Sequence, residues 1–308
     1  MNRLFDVLTV TLPVAAVFLL GYFSKRNGIV GDKALDGIKA IVMNFTLPAV
    51  LFSAFFTAQL DGGFFVVALT LFTSCVIALG AGFIIKRIFG SLGDLFPFLT
   101  TGFEAGMMGY GLYAMLFPPG ELHYFAMVDL GQVLFVFTLY MAVLNKRKGK
   151  TTGQTIKAML VSPVFLSIAA GLVFALSGLG AFLSQSAAGP AVEALLSYIG
   201  APTGMLMIFV VGCGLSFDRA SIKKAMISVA LRTGIMVLLC AACLLILGSF
   251  IALPAPLWWA VILMFSLPAP FVLPVFTSEK NQSAYLSSVL SFGAVLSLVI
   301  FAVISALI

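Results

Sequence analysis

The sequence predicts an all-α membrane protein of ten transmembrane helices, built as a 5+5 inverted repeat with broken helices 4 and 9. Three observations lead there: the composition, the spacing of the apolar runs, and the side on which the basic residues collect. Of 308 residues, 62% are hydrophobic and only 9% charged, with a mean hydropathy of +1.17. A soluble domain carries roughly 25% charged residues, so most of this surface must face something other than water. Crossing a ~30 Å hydrocarbon core takes about 20 apolar residues in a helix. Ten runs meet that length, at 5–24, 36–58, 64–86, 95–117, 122–144, 159–183, 190–215, 225–250, 256–277 and 283–307. The connections between them are too short to hide a soluble domain.

Charge placement orients the spans. Lys25, Arg26, Lys33, Lys39, Lys86, Arg87, Lys146, Arg147, Lys148, Lys150, Lys157, Arg219, Lys223, Lys224 and Lys280 all fall on one side if the spans alternate. The opposite connections hold Asp61, Glu121 and Glu193, with no Lys or Arg. Cytoplasmic loops accumulate Lys and Arg, so both termini are expected outside a plasma membrane, the inner membrane if the source is bacterial. The net charge of +6 is then a consequence of topology, and no nucleic-acid partner is expected.

Span 1, with "LPVAAVFLLGYF", is long and has no small-x-small cleavage site before Lys25, so it reads as a helix rather than a signal peptide. Span 2 enters at Asp36 and carries Asn44 and a mid-span Pro48, the candidates on the scaffold side. Span 3 is uninterrupted. Span 4 contains "TGFEAGMMGYGLYA", which places Glu104 among Gly102, Gly106, Gly109 and Gly111. Span 5 carries Asp129 and Gln132, three residues apart and so on one helix face. The basic connection "NKRKGKTTGQTIK" follows, close to the midpoint. It divides the chain into a first repeat (1–145), a cytoplasmic connection (146–158) and a second repeat (159–308). Five spans per repeat is an odd number, so the second copy must lie upside down, an architecture common in secondary transporters. Span 6 ("SPVFLSIAAGLVF") opens on proline as span 1 does. Span 7 repeats the acid and proline of span 2 as Glu193 and Pro202. Span 8 carries Arg232, and its Cys240 and Cys243 have no further ligands nearby and read as packing residues. Span 9 holds Pro268, Pro270 and Pro274 in "SLPAPFVLPVF", and span 10 holds Ser291.

Proline removes an amide donor and clashes with the preceding turn, and glycine lowers helix preference by about 1 kcal/mol relative to alanine. Interruptions at matched positions of two halves point to a binding site at the bilayer midplane. Unwound backbone there is tolerated only beside protein or a wet cavity. Three ionisable residues, Glu104, Asp129 and Arg232, lie well inside spans, where a charge costs roughly 2.5–3.5 kcal/mol on insertion scales. Glu104 and Asp129 are the candidates for proton transfer. They could equally hold a sodium ion with oxygens of Gln132, Thr101 or Ser291. Arg232 is a candidate substrate contact or a charge partner that neutralises an acid. Met107, Met108, Tyr110 and Tyr113 suit the apolar wall of a pocket.

With ten spans and interrupted spans 4 and 9, the chain resembles the auxin efflux carrier family, which includes plant PIN proteins and bacterial permeases for malate and related anions. "LPVAAVFLLGYFSKRNG" (12–28), "NFTLPAVLF" (44–52), "FEAGMMGYGL" (103–112) and "SLPAPFVLPVFTSEKNQSAYLSSVLSFGAVLSL" (266–298) carry the resemblance. It implies a fold similar to sodium–bile acid symporters, with spans 3–5 and 8–10 as a transport bundle and spans 1, 2, 6 and 7 as a scaffold that often dimerises. It also implies a crossing of Gly106, Met107, Met108, Gly109 and Gly111 with Pro268, Ala269 and Pro270. Many family members have Asn-x-Gly-x-Pro in the first crossing helix. Here the matching positions are Met107, Gly109 and Gly111, so the resemblance extends to the fold and not to the better-known ligands. The expected function is alternating-access transport of a small organic anion, coupled to protons, with sodium coupling or uncoupled transport as alternatives. A lone histidine, His123, leaves no material for metal clusters or histidine-based triads. No enzyme activity, metal or cofactor is expected, and nothing resembles the filter of a channel.

Overall fold

The computed structural model describes residues 2–56, 62–146, 157, 160–271, 273 and 280–308. Most of the connection 146–158 lies outside this set, as do Asp61 and Pro274. The described residues are helical, with no strand among them.

The first half begins with α1 (Asn2–Arg26) and α2 (Asp32–Phe56). Lys25 pairs with Asp32 across the turn between them. Inside α2, a π-helical turn at Val42–Thr46 directly precedes Leu47 and Pro48. Pro48 has no amide to donate to the turn before it, and the wider turn absorbs the misfit. The uninterrupted α3 (Gly62–Ile88) follows. The next span is in pieces. A single turn, α4 (Phe96–Leu99), gives way to non-helical backbone at 100–104, and helix resumes through a π turn at Ala105–Gly109 into α5 (Tyr110–Leu116). The half closes with α6 (Leu122–Leu144), which carries its own π turn at Val136–Tyr140.

In the second half come α7 (Pro163–Leu176), α8 (Leu179–Ser184), α9 (Gly189–Cys213) and α10 (Ile222–Phe250). After them stand α11 (Ala255–Ser266) and α12 (Lys280–Leu307). Seven of the described helices are long and apolar enough to cross a membrane, while α7 and α11 are shorter apolar helices. The sixth span, expected as one run over 159–183, is divided at Gly178. That residue adopts φ 73°, a left-handed conformation that ends α7 and starts α8. Proline at 202 marks a turn at 201–202 within α9.

Packing sorts the helices into two groups. In one, α1 lies along the second half of α9, while α7 and the first half of α9 pack on α2. In the other, α3 packs on α6 and α10, α11 on α6 and α10, and α12 on α10. The groups touch where α1 meets α12 and where α5 meets α9. Large apolar side chains such as Leu20, Leu69, Phe182, Leu238 and Leu245 stay exposed, as expected for a surface solvated by lipid tails.

Candidate functional site

The two interrupted spans meet. The amide of Glu104, in the gap between α4 and the following π turn, donates to the carbonyl of Pro268 at 2.9 Å, in the gap after α11. Gly102, beside Glu104, has φ 68° and lies against Pro270, so a side chain at 102 would be strained and would strike the proline ring. Gly109 sits against Leu267 and Phe125. The two spans therefore meet where their described helices give way, an amide of one bonded to a carbonyl of the other.

An interrupted helix leaves amides without partners where it restarts and carbonyls without partners where it stops. The sequence supplies a different charged side chain for each. Glu104 Oε2 accepts from the amide of Phe271 at 2.6 Å, and Oε1 accepts from the amide of Met107 at 3.3 Å. One carboxylate thus serves the restart of one interrupted span and the backbone just beyond the break in the other. Arg232, reaching in from α10, does the complementary work on the carbonyls. Its Nη1 donates to Leu99 at 2.7 Å, and its Nη2 to Gly102 at 2.7 Å and Leu267 at 3.0 Å. Its guanidinium also stands 5.6 Å from the centroid of the Phe103 ring, within reach of a cation–π attraction.

A cavity of about 550 Å³ opens beside the crossing. Glu104, Gly106, Met107, Pro270 and Phe271 form one wall, and Asp129, Gln132 and Ser291 face the same space. Leucine and methionine from α2 supply apolar surface, and Lys39 is the cation among the lining residues. Asp129 is buried, yet its carboxylate is held: Tyr110 donates to Oδ2 at 3.0 Å and Gln132 Nε2 to Oδ1 at 3.2 Å. Gln132 also reaches the Phe103 carbonyl at 3.3 Å. The amide oxygen of Gln132 is buried and has no partner among the described residues.

Residues 6–154 match the family described as membrane transport protein. That stretch is just under half of the 308-residue chain, and over it the chain is similar to this family. The likeness is to membrane transport proteins and not to an enzyme family. A protein of Methanothermobacter thermautotrophicus (strain Delta H), named as an uncharacterized transporter, is 24% identical over 298 residues, 94% of each chain.

The sequence-derived candidates divide by location. Glu104, Gly106, Met107, Pro270, Asp129, Gln132 and Ser291 share the cavity. Met108 and Ala269 are packed in the core, and Pro268 packs against Gly293 of α12. Gly111 opens instead on a second cavity of about 490 Å³, with Gly204 opposite. Asn44 is exposed, its Nδ2 bonded to the Ala40 carbonyl at 2.7 Å, and Pro48 does not line the main cavity. Ser291 Oγ accepts the Ser216 amide at 2.9 Å, and Thr101 is committed to the Cys75 carbonyl at 2.7 Å. No group of three His, Cys, Asp or Glu that could hold a metal ion occurs among the described residues.

Arg232 differs most from its expected part. Its described bonds go to three carbonyl oxygens rather than to Glu104 or Asp129. Sequence reading also passed over Lys39 as a lining residue and Tyr110 as the partner of Asp129. A tyrosine 19 residues before an aspartate, on a different helix, leaves no local signal.

Proposed function

We propose that this protein is a secondary carrier of a small organic anion. It works by alternating access, with α3–α6 and α10–α12 moving as a bundle against a scaffold of α1, α2, α7 and α9. In this reading ten spans cross a plasma membrane as two inverted repeats with both termini outside, and the scaffold is the surface through which two copies pair. One observation carries the proposal: two interrupted spans meet beside a cavity and bring amides to it, with a carboxylate between them. Amides at helix restarts carry partial positive charge and favour anions, and the apolar lining suits a ligand with a hydrocarbon body. Lys39 adds a cation to that lining.

Coupling to protons is assigned to Glu104, which lines the cavity and is half-buried. The test is uptake of a panel of organic anions into proteoliposomes under an imposed pH gradient. Uptake by the wild type should follow the gradient, and Glu104→Gln should lose that dependence. An unchanged pH-dependence in Glu104→Gln removes Glu104 from the coupling role, and no uptake of any anion removes the carrier reading.

Sodium coupling is the second reading, favoured by the unpartnered Gln132 oxygen beside the Asp129 carboxylate. Oxygens of this kind suit a hard cation. Uptake driven by a sodium gradient at fixed pH and abolished in Asp129→Asn would select it.

A further inference from the structure

We propose that Glu104 is a tethered anion sitting in the place of the cargo's carboxylate, so that side chain and cargo exclude each other at the crossing. This rests on the anion-carrier reading above and adds the event by which the site is vacated. The amides of Met107 and Phe271 are the groups at the crossing that would recognise a carboxylate, and both are already bonded to Glu104. Arg232 gives N–H groups to the carbonyls of Leu99, Gly102 and Leu267. Two negative groups sharing these amides would repel across an apolar-walled space, so only one can be seated as an anion.

Glu104 is able to leave. It borders the cavity and is half-buried, whereas Asp129 is buried and bonded on both oxygens. When Glu104 takes up one proton, its charge is lost and its hold on the amides weakens. An incoming carboxylate then accepts the Met107 and Phe271 N–H groups. One proton and one negative charge enter together, and the reverse exchange releases both. The groups around this event are Asp129 with Tyr110 from α6 and α5, Arg232 from α10, and Lys39 from α2. Tyr140, bonded to the Phe98 carbonyl at 3.3 Å, stands behind the same break. A second observation points to the ligand independently. Gln132 is 6% exposed, lines the cavity, and has no donor to its amide oxygen among the described residues. A hydroxyl or N–H on the cargo would supply one. The class of cargo is therefore an apolar-bodied carboxylate that also carries a hydrogen-bond donor.

Formate binding to the purified protein, with chloride as the ionic control, tests the exclusion without knowledge of the natural cargo. Thermal shift is read for the wild type and Glu104→Ala at pH 8 and pH 6. Apparent affinity scales with the fraction of molecules whose site is vacant, so occupancy by Glu104 in nine of ten molecules implies about tenfold tighter formate binding in Glu104→Ala at pH 8. The wild type should bind formate more tightly at pH 6 than at pH 8, and Glu104→Ala should lose that difference. Glu104→Gln keeps an acceptor for the Phe271 amide without the charge. It serves if the alanine variant fails to fold, and it too should bind formate independently of pH. Formate binding that is equal in wild type and variants, or that is absent in all of them, overturns the proposal. If formate competes as described while proteoliposomes take up nothing, the exclusion stands and the carrier reading fails.

Discussion

At the scale of the residue, the crossing is an exercise in complementary ends. Carbonyls at a helix stop need donors and amides at a helix restart need acceptors, and water is scarce inside a bundle. A guanidinium offers five N–H donors in a fixed fork, which is why one arginine reaches three carbonyls. Each buried group left unsatisfied costs about 1–3 kcal/mol, so Arg232→Met, which removes every donor, should destabilise the fold by about 3 kcal/mol or more. Thermal denaturation of the purified protein measures it, and an unchanged midpoint would show that the carbonyls have other partners. Arg232→Lys, with a point charge in place of the fork, should fall between the two. Glu104 and Arg232 were visible in the sequence as charges inside apolar spans. Their hydrogen-bond partners were not, because those described are backbone atoms and carry no residue-type signal.

At the scale of the element, the interruptions were legible and their geometry was not. Glycine and proline density marked where spans 4 and 9 give way, since both residues weaken helix wherever they occur. How much helix survives on each side depends on tertiary contacts. Only one turn, Phe96–Leu99, remains before the first break. Gly102 and Gly106 looked alike in the sequence, yet they play different parts. A Cβ at Gly102 would require a left-handed backbone and meet Pro270 at 2.9 Å, whereas one at Gly106 would meet only the Leu47 side chain at 3.7 Å, an ordinary contact. Left-handed backbone costs a residue with a Cβ roughly 1–2 kcal/mol, and displacing Pro270 adds to that. Gly102→Ala should therefore lower the thermal midpoint and misplace the Pro268 carbonyl and Phe271 amide. Gly106→Ala should fold as the wild type does. Equal midpoints for the two variants would show that the break is not held by this contact.

At the scale of the whole molecule, two of the cavities lined by described residues lie between the two groups of helices, and Tyr110 lines both. One step along the chain, Gly111 of α5 faces Gly204 of α9 almost backbone to backbone. A Cβ on Gly111 would stand 3.2 Å from the Gly204 Cα and 3.3 Å from its carbonyl oxygen. Two groups that slide or rock need a contact with little side-chain interdigitation, because interlocked side chains resist displacement. Paired glycines provide one, and they also bring the groups close enough to close the space between the cavities. A branched side chain at 204 would wedge them apart at this point. Overpacking of that kind costs about 1–3 kcal/mol, which as a bias between two arrangements of the groups is about 5- to 150-fold in their ratio. Gly204→Val should therefore slow uptake into proteoliposomes by at least about fivefold. Formate binding at the crossing should be retained, because Gly204 lines the other cavity. Gly204→Ala, whose Cβ would stand 3.4 Å from the Gly111 Cα, should retain most of the uptake. Wild-type uptake by Gly204→Val would mean that α5 and α9 keep this contact unchanged throughout transport, and that the moving boundary lies elsewhere.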